Sequence, residues 1–531
     1  MKKFKLFAAA LGLLTFAACS SDDNGLGVEN TILSQSEDNA ITFGTYMGQS
    51  AQTRAIADAV DGGVTGSITS AQALAQKRGF GVFAYYTGDN DYAGSVTSGV
   101  VSPTTLTTSN VAQTSGVLPN FMYNQRVEGT DAETPVWTYS PVKYWPNGNT
   151  TADDQDNNTG SSSATGSGGG KVSFFAYAPY VATVGTTGIT AFSANTVTTN
   201  PTVTYKLAEG GDAVDLLWGT AGTNGVTATY GGTAQTGNYV ALTPATPAWA
   251  DRPFLVNTNL TKMNTTGRVN FAFKHALAKV GGSETTGYTG SGMRVILDID
   301  NDGAESGGTY DNTTTKVTVE SISIKARSKV DTDDDGTADK YLTSAGNYGV
   351  LDLATGQWTI DVSTAANVTD AVASASEVTH VIYSPKTANG NATLNTTIAE
   401  PSSLSDGTGA WDGLVAGVLT TAKNVYADET NPLVYIPGTY PELEVSITYI
   451  TRTKDASLSK GYSEVSQTVK KTITFTEKVK LNMQYNLLIH LGLTSVKFTA
   501  TVSPWEPYDS NSDGSIDEDD YKEMYLPINV Q

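Results

Sequence analysis

Val317-Thr318-Val319-Glu320-Ser321-Ile322-Ser323-Ile324 is the stretch that decides the fold class. Apolar and polar side chains alternate along it, and its Val, Ile and Thr residues suit a pleated strand with one buried face. Val269-Asn270-Phe271-Ala272-Phe273 and Arg294-Val295-Ile296-Leu297-Asp298-Ile299 repeat the pattern. Phe80-Gly81-Val82-Phe83-Ala84-Tyr85-Tyr86 reads as a core strand, and 357–362, 378–383, 433–436, 443–451, 469–475, 485–491 and 496–502 add further candidates. Val136-Trp137-Thr138-Tyr139 and Val142-Lys143-Tyr144-Trp145-Pro146 read as a strand pair turned near Ser140-Pro141, while 147–170 is a polar, low-complexity loop. His275-Ala276-Leu277-Ala278-Lys279-Val280 either extends a strand or makes one helical turn. Many short strands spaced by Gly, Asn and Asp turns imply an all-β protein made of β-sandwiches.

Composition narrows the function. The chain has 531 residues, enough for two or three cores, and carries 53 acidic against 32 basic groups, a net charge of -21. That balance argues against nucleic acid as a partner, because phosphate binding needs a positive surface. Cys19 is the only cysteine, so no intrachain disulfide forms, and His275, His380 and His490 lie far apart. Any acidic pair could be named the acid and base of a glycosidase, but spacing singles out none. The expectation is no enzyme activity.

The N-terminus addresses the protein. Lys2, Lys3 and Lys5 precede or interrupt an apolar run from Phe4 to Ala18. The run ends in Phe16-Ala17-Ala18-Cys19 and is short for a helix that must cross about 30 Å of hydrocarbon. One reading is an ordinary small-residue cleavage site with an incidental cysteine. The sharper one is a bacterial lipoprotein, with 1–18 removed as a signal peptide and Cys19 acylated. Several acyl chains on one residue hold a protein firmly to a membrane.

Phe121-Met122-Tyr123-Asn124-Gln125, Trp137 to Pro146, Val172-Ser173-Phe174-Phe175-Ala176-Tyr177-Ala178-Pro179, Val269 to Val280 and Thr501-Val502-Ser503-Pro504-Trp505 follow one another along the chain. In this order they resemble the fimbrillins, subunits of the major and minor fimbriae of Bacteroidales. Ser20-Ser21-Asp22-Asp23 also resembles the acidic stretch that sends lipoproteins of these bacteria to the outer surface. The resemblance implies two transthyretin-like β-sandwich domains and a precursor cut after an arginine by a trypsin-like protease. That cut removes an N-terminal strand, and the vacated groove takes a terminal strand from the next subunit. The matching arginine is Arg54, giving a mature start at Ala55; Lys77-Arg78 competes with it. The implied organisation is a lipidated propeptide with a removable strand at 19–54, sandwiches at 55–250 and 251–505, and a C-terminal extension at 506–531. Partners are then further copies of the chain, fimbrial anchor and tip subunits, the protease, and the outer membrane through the lipid.

A sandwich lacking one strand exposes unpaired backbone groups above an apolar groove, and an incoming strand satisfies both. Met524, Leu526, Ile528 and Val530 alternate with polar or turn residues, so the tail qualifies as a donor, although it could equally complete its own domain. Pro527 must face its nitrogen outward or sit at a bulge. In the precursor, Ile41, Phe43, Thr45 and Met47 would plug the groove. Just before the tail, Asp509, Asn511, Asp513, Gly514, Asp517 and Asp520 match the spacing of a calcium loop, with Ile516 as its hydrophobe. Asp331, Asp333, Asp335, Gly336 and Asp339 repeat its first part, but Leu342 stands at the last ligand position, so that copy and the weaker one at Asp298, Asp300, Asp302 read as ordinary turns. The leading functional reading is a stalk subunit of a surface fimbria supporting adhesion. The alternatives are an anchor or tip subunit, or a surface glycan-binding lipoprotein with an exposed aromatic platform among Trp137, Trp145, Trp249, Trp358, Trp411 and Trp505.

Overall fold

The computed structural model describes residues 40–46, 70–88, 121–132, 134–146, 171–193, 200–209, 213–221, 256–261, 267–282, 292–298, 314–383, 432–492, 496–505 and 524–531, with a few short segments and single residues between them. Strands dominate the described residues, joined by one short helix, Ala71–Gln76, and a 3-10 turn, Val372–Ser374. Ser70 caps the helix by accepting the Ala73 N–H at 3.1 Å.

The first sheet is eight-stranded, running from Thr42–Tyr46 through Arg268–His275, Leu217–Ala221, Lys171–Ala178, Phe80–Gly88 and Met122–Gly129 to Trp137–Thr138, with Asn257–Leu260 also beside Lys171–Ala178. A four-stranded sheet, Gly188–Ser193, Thr202–Lys206, Tyr348–Asp352 and Trp358–Thr359, covers one face. There Phe83, Tyr85, Phe175 and Tyr177 meet Ile189, Val203, Tyr205 and Leu351. The other face has its own core of Ile41, Phe43, Leu74, Phe80, Trp137, Trp145, Phe174, Phe271 and Phe273. Burial on both faces explains why Val172 to Ala178 is a continuous run rather than an alternation. Gly79, at φ +71°, turns the helix into the Phe80 strand, and a Cβ there would lie 1.9 Å from the Val127 carbonyl oxygen.

Two seven-stranded sheets form the second sandwich. One is centred on Met483–Leu491; the other carries the long strands Thr315–Val330, Tyr440–Lys454 and Tyr462–Phe475. Ile322, Ile324, Val445, Ile447, Leu487 and Ile489 fill the space between them. The alternation of 317–324 changes phase between Val319 and Ile322, and a register shift between Val319 and Ser321 keeps Val317, Val319, Ile322 and Ile324 all buried.

Strand pairing does not divide at 250/251. Residues 257–275 complete the first sheet, and 348–359 complete its facing sheet. Sequence proximity favoured one cut, but long-range pairing sends the chain back. The His275–Val280 stretch is the crossing: Arg268–His275 belongs to the first sheet and Ala278–Val280 to the second sandwich. His275 is fully buried there. Its Nδ1 lies 2.9 Å from Asp215 Oδ1, its backbone N–H donates to Asn482 Oδ1 at 3.2 Å, and its ring stacks on Trp505 with centroids 3.9 Å apart. Trp358 Nε1 donates to the Ala276 carbonyl at 2.9 Å, tying the same crossing to the facing sheet.

Candidate functional site

The candidate site is the slot that holds the leading strand, Thr42–Tyr46. One side of this strand pairs in parallel with Arg268–His275, in register Thr42 with Arg268 through Tyr46 with Ala272. Its N-terminal end meets a second wall: Ile41 N–H donates to the Lys143 carbonyl at 2.9 Å, and Ala40 bridges Tyr144. The Tyr139 hydroxyl donates to the Ile41 carbonyl at 3.0 Å and accepts the Lys143 N–H at 3.1 Å. Burial raises the Tyr139 pKa above its ordinary value, so this hydroxyl stays a donor at neutral pH. Gly267 closes the floor, its carbonyl taking both the Thr42 N–H at 3.3 Å and Trp145 Nε1 at 3.1 Å.

Side chains hold the strand more strongly than these bonds. Ile41 is 1% exposed and Phe43 3%. Phe43 sits among Tyr139, Phe174, Phe80 and Phe271, with ring centroids 5.2, 6.0, 6.1 and 6.1 Å away. Burying two such side chains contributes about 1.5–3 kcal/mol each. Residues 40–46 therefore form an edge strand whose loss would leave an aromatic trench with an unpaired backbone edge beneath it.

The expected strand over Val142 to Trp145 is instead an extended segment making a single bridge, because its partner is the leading strand rather than Trp137–Thr138. The sequence placed Tyr139 and Trp145 in a local strand pair, but their role as a wall depended on contacts about a hundred residues away in sequence.

The tail lies within its own sandwich. Met524–Leu526 pairs antiparallel with Val496–Pro504, and Ile528–Val530 with Tyr462–Phe475. Leu526 is buried in the second core, Ile528 packs against it, and Val530 is exposed. Pro527 falls at the break between the two short strands, where its missing N–H costs no ladder bond, and its carbonyl accepts from Thr476 Oγ1 at 2.9 Å. The tail thus crosses from one sheet to the other instead of forming one alternating strand. Cys19, Met47, Arg54, Ala55, Asp509, Asn511, Asp513, Asp517 and Asp520 lie outside the described residues.

Among the described residues, the acidic turn at 331–339 is the group that could hold a divalent cation. Carboxylate oxygens of Asp331, Asp333 and Asp335 lie within 4.8 Å of one another. Asp331 accepts the Gly336 N–H at 2.9 Å and the Asp335 N–H at 3.3 Å, while Asp339 accepts the Thr332 N–H at 2.8 Å. The neighbouring Asp335 charge raises the Asp333 pKa, a cost that a cation would relieve. Leu342, at the position where a calcium loop has its last carboxylate, is buried. Asp298 of the weaker copy is also buried, with its carboxylate 3.2 Å from His490 Nδ1.

The tryptophans do not form a platform among the described residues. Trp137, Trp145, Trp218 and Trp505 are buried and Trp358 is half-buried; Trp249 and Trp411 lie outside the described residues.

No family model and no curated protein matches the chain. Among solved structures, the chain is similar to a fimbrial protein from Bacteroides vulgatus ATCC 8482, with 18% identity over 88% of this chain and 99% of that chain and a TM-score of 0.46. It is also similar to candidate cell adhesion proteins from Bacteroides ovatus ATCC 8483 and Bacteroides uniformis ATCC 8492. Each is 10% identical over 88% of this chain and 98% of its own, with TM-scores of 0.31 and 0.29.

Proposed function

We propose that this chain is a fimbrillin-type structural subunit of a surface fimbria, with two transthyretin-like sandwiches, exported as a lipoprotein on Cys19 and activated by cleavage between Arg54 and Ala55. The observation that carries the reading is the leading strand. It is buried in the first core, yet it lies upstream of Arg54, so one cut would turn it from a covalent part of the sandwich into a separable plug. Arg78 is a poorer protease site. It sits in a tight turn at φ 97° between the fully buried Leu74 and Phe80, and its carbonyl accepts from Arg126 Nε at 3.1 Å. A protease must draw several residues around its target into an extended conformation, and here that would unpack the core.

Once the plug leaves, Arg268–His275 presents an unpaired edge above Phe80, Phe174 and Phe271. The donor in this reading is the tail of another copy, whose Met524, Leu526, Ile528 and Val530 supply apolar side chains at alternate positions. The tail must first leave Val496–Pro504 and Tyr462–Phe475 of its own sandwich, so both partners carry a self-contact that opposes premature assembly. A head-to-tail contact that does not close on itself yields a filament. The protein performs no bond chemistry in this scheme. Calcium at 509–520, and at Asp331, Asp333 and Asp335, would stiffen the base of the tail and the turn that follows Thr315–Val330.

The test is trypsin treatment of precursor carrying Cys19→Ser, followed by N-terminal mass mapping and electron microscopy. Cleavage after Arg54 that yields filaments or ladders, both lost on deleting residues 524–531, is the expected result. A cut product that stays monomeric points to a tip subunit. Resistance at Arg54 overturns the activation step and favours an anchor or a glycan-binding lipoprotein.

A further inference from the structure

Among the described residues, the strand Tyr462–Phe475 has an edge that its own sandwich leaves largely unused. On one side it pairs with Tyr440–Lys454 along its whole length, from Tyr462 opposite Lys454 to Thr474 opposite Glu442. On the other side, among the described residues, only the short strand Ile528–Val530 pairs with it, at Ile473 to Phe475. Next to it, Gln531 exchanges both main-chain bonds with Thr472, at 3.1 and 2.9 Å. From Lys471 back to Ser463 the edge has no strand beside it among the described residues.

The Thr472 bonds fix which groups face outward. Antiparallel strands present their N–H and C=O groups to alternate sides, so the residues sharing the outward orientation of Thr472 are Lys470, Thr468, Ser466 and Glu464. Two copies of this edge can pair antiparallel only where outward-facing residues meet each other. The register centred on Gln467 does this across the open segment: Glu464 meets Lys470, Ser466 meets Thr468, and Gln467 meets its own copy as a non-hydrogen-bonded pair. On the other face Val465, 54% exposed, meets Val469, which already packs against the second core.

Charge selects the partner and the register. Lysines on an edge strand usually discourage pairing, and this edge has Lys470 and Lys471. In the centred register they lie opposite Glu464 and Ser463 instead of one another, so opposite charges face across the axis at both ends. Glu464 is already held by Arg452 Nε at 2.6 Å, which orients its carboxylate between two cations. Sliding the copies toward the C-terminal end brings the lysines toward each other and onto positions occupied by Gln531.

We propose that a second copy of this chain docks along Ser463–Lys471, antiparallel and edge to edge about a two-fold axis at Gln467. The contact is isologous and closes as a pair, unlike a tail-in-groove contact, and it does not depend on cleavage at Arg54. On a filament it would join neighbours side by side.

The test uses the full, uncut chain carrying Cys19→Ser, so that Gln467→Cys supplies the only thiol. The non-hydrogen-bonded pair at the axis brings the two Cα atoms to about 4.5 Å, within disulfide reach. Mild oxidation should convert Gln467→Cys largely to covalent dimer while Ser457→Cys, in the hairpin turn, stays monomeric. Without added thiols, sedimentation should show a concentration-dependent dimer that Lys470→Glu weakens at least tenfold. Ser466→Pro should abolish it without lowering the melting temperature, because the Ser466 N–H points away from its own sheet. Equal cross-linking at 457 and 467, or a monomer at all concentrations, overturns the proposal. A melting temperature lowered by Ser466→Pro would also overturn it, by showing that another segment of the same chain covers this edge.

Discussion

Replacing Phe43 by alanine tests whether the leading strand is held by its aromatic pocket. The side chain is 3% exposed and touches four aromatic rings with centroids between 5.2 and 6.1 Å away. Burial of this kind makes Phe→Ala cost about 3–5 kcal/mol. The neighbouring main-chain bonds remain, so the loss falls on docking of the strand rather than on the rest of the sandwich. At about 1.4 kcal/mol per tenfold, local opening rises roughly a hundredfold to a few thousandfold. Hydrogen exchange read by mass spectrometry reports this directly, because amides that exchange through local opening accelerate by the same factor. Peptides covering 41–46 should lose protection by that amount, and those covering 483–491 should not change. Thr42→Ala, at an exposed position on the same strand, is the control and should alter protection by less than about threefold. If Phe43→Ala leaves protection at 41–46 unchanged, or if Thr42→Ala matches it, the pocket does not hold the strand and the plug argument fails.

Three further outcomes follow from the charged sites. Arg327, 6% exposed, contacts Glu377, Glu442 and Glu444 at 2.6, 3.3 and 3.3 Å, so Arg327→Ala should lower unfolding stability by about 3 kcal/mol. The low end of the usual range applies because only Glu442 is as buried, and the Tyr341 hydroxyl still donates to it at 2.9 Å. Burial pushes the Glu377 pKa up, but hydrogen bonds and charge from Lys325 and Arg327 outweigh it and hold the group below 4.5. Its stabilisation is therefore present above pH 4.5 and disappears as pH falls through the lowered value, so Glu377→Gln should reduce the urea midpoint at pH 7 and have progressively less effect as the pH falls through that value. At the acidic turn, the Tyr440 hydroxyl donates to the Gly336 carbonyl at 3.2 Å, close enough to sensitise bound terbium. Terbium emission excited through tyrosine should appear on titration, be displaced by calcium, and weaken about tenfold in affinity in Asp335→Asn; unchanged titration would remove this turn as a cation site.

The strand character of 317–324, 443–451 and 485–491 was legible from residue order alone, because period-two alternation is a local property of the chain. So was the apolar side of Ile41 and Phe43, which is why a strand upstream of Arg54 could be expected to fill a groove. Which edge that strand occupies was not legible. Parallel pairing with Arg268–His275 joins segments more than two hundred residues apart, and any apolar alternation fits many edges equally well until the sheets form. The tail makes the same point more sharply. Alternation from Met524 to Val530 reads as one strand, but Pro527 lies where the chain leaves one sheet, and the two halves pair with different sheets of one sandwich. The acidic turn at 331–339 was discounted for Leu342 at one ligand position, yet the backbone brings three of its carboxylates together regardless. Local periodicity, turn residues and charge, written in the sequence, determined an all-β chain and the apolar sides of its leading strand and tail. Pairing partners, the two walls around Phe43 and the open edge at Ser463–Lys471 were decided only in the tertiary structure, because backbone hydrogen bonding has no side-chain code and chooses its partner by what the whole core leaves unsatisfied.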